Sequence, residues 1–249
     1  MSNNVPKIEP NIRCGDCPIR KRAICAYCNE PELLQLDDIK SYKTYQAGET
    51  IVWAGEEIPL IGSVVTGVAT LSRSLADGRR QMVGLLLPSD FIGRPGRRVA
   101  PYDVVAASEV MVCHFRVGKF NNLIDKTPAL ERRLLDMTMD ELDSAREWML
   151  LLGRKTAREK IAGMLVIFAR RGTELEKEKI ADGLRFEVPL TREAMADYLG
   201  LTIETVSRQF SALKKSGVII MQDARHIRVP DYVRLLDEAS DDSDGGFIT

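Results

Sequence analysis

Residues 190–210 read LTREAMADYLGLTIETVSRQF. The spacing predicts a short helix that ends at Gly200, where a left-handed turn needs no Cβ. Thr202 then caps a second helix. Met195, Leu199, Leu201, Val206 and Phe210 are spaced to pack the two helices together. Thr202, Glu204, Thr205, Ser207, Arg208 and Gln209 stay available on the N-terminal side of the second helix. That is the part of a recognition helix that enters the major groove. There Arg grips guanine O6 and N7, and Glu accepts from cytosine N4. Charges on one helix face are ordinary by themselves. Joined to the glycine turn and a following hairpin over Val218–Val229, they favour DNA reading over a merely solvated surface.

Outward from this core, a helix is expected over Ala157–Arg171 with Gly172 as its stop. A charged loop over 173–185 and a strand at Phe186–Val188 follow. Residues 154–232 thus form a reading domain, and 233–249 an acidic tail without fixed structure. Upstream, residues 126–153 have helical period. Leu135, Met139, Leu142, Ala145, Met149 and Leu152 recur at steps of three or four and form one apolar stripe. Packing on its own domain is one use for it. The other is the seam of a two-fold dimer, which matches a palindromic DNA site. Trp148 and Met149 suit either surface.

Residues 31–125 hold short β-rich runs, at 48–55, 60–73, 81–87 and 103–115, broken by glycines. Asp77-Gly78 is a hairpin signal. The spacing suits a small antiparallel roll or barrel. Before it, residues 1–30 form an irregular arm in which Pro6, Pro10, Pro18 and Pro31 interrupt any long helix.

That arm carries Cys14, Cys17, Cys25 and Cys28, and Cys113 stands alone in the roll. The first 30 residues have no uninterrupted apolar stretch of the kind a signal peptide needs. No apolar run approaches the roughly 20 residues of a membrane helix. A cytoplasmic location is expected, where thiols stay reduced. Four cysteines in so short a segment then suit zinc or an iron–sulfur cluster, and spacing alone leaves the two balanced. A net charge of −1 does not announce a nucleic-acid partner, but the acidic tail hides a mildly basic remainder. An enzyme is not expected. The two histidines, His114 and His226, make no nucleophile–base pair with Cys113, because adjacent strand residues face opposite ways. A cluster-bearing redox protein would need a partner site that the sequence does not offer.

These features together resemble the Crp–Fnr superfamily, in its FNR branch. The similarity runs from Cys14 to about Val229. It is carried most specifically by Cys14-Gly-Asp-Cys17-Pro-Ile with Cys25 and Met111-Val112-Cys113, and by Leu201–Arg208. The resemblance implies an α+β chain: a cyclic-nucleotide-binding-like β-roll, a long dimerisation helix and a C-terminal winged helix-turn-helix. It implies a [4Fe–4S] cluster on Cys14, Cys17, Cys25 and Cys113, with Cys25 ranked over Cys28 by alignment alone. Glu204, Ser207 and Arg208 match the family's reading motif, which implies a site similar to TTGAT-N4-ATCAA. The tip Asp77-Gly78-Arg79-Arg80 resembles a surface that contacts RNA polymerase. The seven-residue gap between Cys17 and Cys25 is longer than in the enterobacterial form and similar to that in photosynthetic bacteria. A cyclic-nucleotide ligand is not implied: Arg94 stands where the ribose-binding Glu falls, and no Arg-Ser pair follows. Oxygen is expected to act by weakening the 135–152 seam. The path from Cys113 into the long helix is expected to be short.

Overall fold

The computed structural model describes residues 12–74, 77, 80–176 and 183–240. Its contacts define two units, Met1–Ala69 with Leu86–Met137, and Thr70–Leu85 with Thr138–Thr249.

In the first unit the arm is built of turns, with a 3-10 turn at Cys14–Asp16. Arg20 closes it from within, donating to the carbonyls of Cys25 at 2.6 Å, Ala26 at 2.9 Å and Cys28 at 2.7 Å. Helix α1 (Glu30–Ile39) follows. Pro31 occupies the first turn of α1, where its missing N–H has no intrahelical partner to lose, so the arm before it holds no long helix among the described residues. Asn29 caps this helix by accepting from Glu32 N, and Glu32 Oε2 accepts from Asn29 N in return.

Strands β1 (Lys40–Tyr45), β2 (Thr50–Val52) and β3 (Ile61–Thr66) come next. Strands β4 (Ala69–Ser74) and β5 (Arg80–Leu86), whose residues Thr70–Leu85 belong to the second unit, are neighbours in a sheet. Strands β6 (Phe91–Ile92), β7 (Asp103–Ala106) and β8 (Val110–Phe115) complete the β region. One sheet has the order β1-β8-β3-β6, and β2 pairs with β7 elsewhere. All the described pairings are antiparallel. β3 is buried along nearly its whole length, as a central strand of Ile and Val should be. Gly62 allows β8 to approach: a Cβ there would stand 2.4 Å from the Cys113 carbonyl.

Helix α2 (Val117–Ile124) then covers the sheet, with Phe120 stacked on Phe115 at 5.1 Å between centroids. It corrects the expected short path from Cys113 to the long helix, because α2 stands between them. The long helix α3 spans Pro128–Arg154.

In the second unit, α4 (Ala157–Glu176) runs through Gly172 rather than stopping there. Glycine permits a stop but does not impose one, and costs a helix interior only about 1 kcal/mol. Of the expected 173–185 loop, residues 177–182 lie outside the described residues. Strand β9 (Leu184–Glu187), helices α5 (Arg192–Leu199) and α6 (Ile203–Lys215), and strands β10 (Ile220–Met221) and β11 (His226–Val229) follow. The three strands form a sheet in the order β10-β11-β9. Ile161, Leu165, Met195, Leu199, Val206, Phe210 and Leu213 make the core beneath them.

The chain ends in α7 (Tyr232–Glu238). This corrects the expectation of a structureless tail from 233. Leu235 is fully buried, Asp231 caps the helix by accepting from Arg234 N, and Arg158 pairs with Glu238 at 2.5 Å. The acidic count hid one apolar anchor and one ion pair. Asp241, Asp242 and Asp244 lie outside the described residues, as do residues 1–11 of the arm.

Candidate functional site

Strand register builds the cysteine centre. Cys113 on β8 lies opposite Tyr42 on β1 and opposite Ser63 on β3. The three share one face of the sheet. The arm brings Cys14, Cys17 and Cys25 to the same face, and these four cysteines line one cavity of about 20 Å³ with Tyr42, Ser63 and Phe115. Ile19, Ala23 and Ile24 close its apolar wall. Cys28 is buried but is not among the lining residues. All five thiols are free. Among the described residues no group of three or more His, Cys, Asp or Glu side chains is arranged to hold a metal ion.

Burial dominates their acidity. It pushes Cys14 up to about 12, against the opposing charge of Lys40, and Cys25 up to about 11, against Arg20. Burial also raises Cys17 and Cys113. Lys40 Nζ stands 3.7 Å from Cys14 Sγ and also pairs with Asp37. Asp37 Oδ1 in turn accepts from Cys14 N at 2.9 Å. Sequence reasoning missed Lys40, Asp37, Tyr42 and Ser63. Only register and chain reversal bring them to the thiols, and no motif marks them.

The reading head matches its expected local chemistry. Gly200 takes φ 61° and its N–H donates to Ala196 O. Thr202 caps α6 by accepting from Thr205 N at 3.2 Å. The guanidinium of Arg192 lies 3.3 Å above the Phe210 ring and helps join α5 to α6. Thr202, Glu204, Ser207 and Arg208 are exposed and Thr205 is half-buried. The main-chain N–H of Glu204 and the Thr202 side chain hold the Glu204 carboxyl below its usual range, so it stays an acceptor. Asp223 shapes the wing turn by accepting from Arg225 N and His226 N, both at 2.8 Å.

On α3, Leu135 is 61% exposed and Met149 70%, and Met139, Leu142 and Ala145 are also exposed; Leu152 is half-buried. Trp148 faces the other way and stacks on Tyr198 at 3.8 Å. Asp77 is exposed. Gly78, Arg79 and the Arg80 side chain lie outside the described residues. The loop Arg94–Arg97 is open, and Arg98 beside it pairs with Glu57 at 2.6 Å.

Residues 42–127 match the cyclic nucleotide-binding domain, and residues 159–238 match the Crp-like helix-turn-helix domain. Antiparallel sheets, a long helix and a winged reading head therefore define a helix-turn-helix regulator. The chain belongs to the Crp–FNR family of transcription regulators. It is 60% identical to the transcriptional activator protein FnrL of Cereibacter sphaeroides, over 94% of each chain. It is 38% identical to the nitrogen fixation regulation protein FixK of Bradyrhizobium diazoefficiens, over 88% of this chain and 91% of that one. The solved structure of FixK2 from Bradyrhizobium japonicum is 31% identical, with a TM-score of 0.71 over 80% of this chain and 96% of that one. Among the described residues no helix is long and apolar enough to cross a membrane.

Proposed function

We propose that this chain is an oxygen-responsive transcription activator of the cytoplasm. It holds a [4Fe–4S] cluster on Cys14, Cys17, Cys25 and Cys113 and pairs through the exposed stripe of α3. It reads a palindrome similar to TTGAT-N4-ATCAA and contacts RNA polymerase through the tip at Asp77–Arg80.

The observation that carries this reading is the shared cavity: three arm cysteines and one distant roll cysteine face the same small space. The donor set fits the group. Four soft thiols with an apolar wall suit iron–sulfur ligation. By donor type alone four thiols suit zinc as well; the choice of a cluster rests on the likeness to FnrL. A cavity of about 20 Å³ has room for little more than one water. Seating a cluster therefore requires the arm, made of turns, to yield. When bound, the cluster supplies a group that dioxygen degrades.

The chain's own residues do the rest. Arg20 holds the Cys25–Cys28 turn, so ligation at Cys25 fixes one compact loop. Metal-ligand energy thereby becomes ordering energy for the arm. The apolar stripe on α3 gives two copies a reason to pair, and pairing places two reading helices on two half-sites. Glu204, Ser207 and Arg208 read base edges there, with Arg208 on guanine.

The test is anaerobic purification followed by iron, acid-labile sulfide and zinc analysis. A mobility shift with a TTGAT-N4-ATCAA duplex follows, before and after air. Iron and sulfide in equal amounts, with binding lost in air, is the expected result. Zinc without sulfide, or binding indifferent to air, would overturn the reading.

A further inference from the structure

Ser63 breaks the pattern of β3. Its neighbours Ile61, Val64 and Val65 are apolar and buried, as a central strand requires. Ser63 is 2% exposed, and its Oγ has no hydrogen-bond partner among the described residues. A buried hydroxyl left unpaired costs free energy that an apolar side chain would not. Such an orphan calls for an explanation. Its position supplies one. Ser63 lies directly opposite Cys113 across the β3–β8 pair and lines the cavity that Cys14, Cys17 and Cys25 also line. Side chains opposed in this way have Cβ atoms about 4.5–5.5 Å apart. The hydroxyl therefore faces the space that the four thiols line, without a partner there among the described residues.

We infer that Ser63 is a positioning residue for the cysteine centre, with its hydroxyl donating a hydrogen bond to a sulfur of the bound cluster. The inference rests on the cluster reading above. Its physical content is a bias between redox states. A hydrogen bond to sulfur stabilises the electron-richer form, so it raises the reduction potential and opposes oxidation. It also holds the cluster in one orientation, as partners of metal ligands commonly do. Lys40 adds positive charge near Cys14, but it already pairs with Asp37. Ser63 has no such competing partner among the described residues, so its role is the cleaner one to isolate.

Full-length Ser63→Ala and Ser63→Thr are compared with wild type after anaerobic purification. Three quantities are read: iron and sulfide content, the midpoint potential, and the melting temperature of metal-free protein prepared by chelation. Ser63→Ala should keep its iron and sulfide, show a lower midpoint potential, and lose iron to a chelator about two- to tenfold more readily, the equivalent of one hydrogen bond. Ser63→Thr should restore the wild-type potential. In the metal-free protein the sign reverses: Ser63→Ala should melt higher, because an unpaired hydroxyl has been removed. Loss of the cluster in Ser63→Ala with recovery in Ser63→Thr also supports the assignment. A fully loaded Ser63→Ala with unchanged potential overturns it, as does a lower melting temperature in the metal-free variant or loss of the cluster in both variants. Wild type without iron and sulfide overturns the cluster reading itself, and this inference with it.

Discussion

Arg133 of α3 donates from Nη2 to the main-chain carbonyl of Arg22 at 2.5 Å, and its Nε reaches the carbonyl of Ala23 at 3.4 Å. Beside it Tyr27 Oη donates to Asp136 Oδ2 at 2.8 Å. The cysteine arm is therefore tied to the first turns of α3 by direct contact. These few bonds give the arm its mechanical path to the dimer seam proposed above, since α2 separates Cys113 from that helix along the chain.

Removing the tie should loosen the arm. Arg133→Ala should cost about 1.5–3 kcal/mol, the range for hydrogen bonds to a charged group. Trypsin should then cut faster at Arg20, Lys21 and Arg22. Denaturant unfolding and timed digestion measure both effects. An unchanged digestion rate would mean that the arm is held elsewhere.

The cysteines should divide four to one. Replacing Cys14, Cys17, Cys25 or Cys113 by Ser should abolish anaerobic iron and sulfide, because Ser does not replace a thiolate on iron at equal affinity. Cys28→Ser should retain both. Full occupancy in Cys113→Ser, or loss in Cys28→Ser, would reassign the ligands.

Arg208→Ala should flatten the preference between TTGAT-N4-ATCAA and a scrambled duplex by about 1–3 kcal/mol per half-site. Lys214 and Lys215, exposed at the far end of α6, should when replaced weaken both duplexes alike or leave both unchanged. Competition mobility shifts at fixed salt separate these outcomes. Weaker binding with the preference intact would make Arg208 a backbone contact.

Leu135→Glu and Met149→Glu place charge on the exposed stripe and should shift the anaerobic protein to monomer in sedimentation. Air should do the same to wild type. A wild-type dimer that persists at low micromolar concentration, with cluster and DNA binding both lost, would replace dissociation by reorientation of the reading heads.

Acid should loosen the start of α4. Glu159 accepts from Thr156 N and from Ser240 Oγ, both at 2.6 Å, and the Ser240 bond contributes most to holding its carboxyl down to about 2. The folded state therefore binds fewer protons than the unfolded chain there. The stabilisation is fully present above about pH 4.5 and is lost as pH falls toward 2. Glu159→Gln should flatten the pH dependence of unfolding across that window while leaving its slope near neutrality unchanged.

Sequence alone determined the features whose physics is local. The αL requirement at Gly200, the cap at Thr202 and the helical period of 135–152 depend on residues within a few positions of each other, so spacing exposes them. The cysteines were visible as chemistry, and the choice among them came from resemblance. Tertiary structure decided what depends on distant chain meeting. Pro31 reads as a breaker until Asn29 and Glu32 cap the helix whose first turn it occupies. Residues 233–238 read as the start of an acidic tail without fixed structure until Leu235 finds the core and Glu238 finds Arg158. Ser63 is one small residue in a β-rich stretch until the β3–β8 register sets it opposite Cys113. Its significance lies in a partner 50 residues away, and a periodicity of two carries no record of which strand will lie alongside.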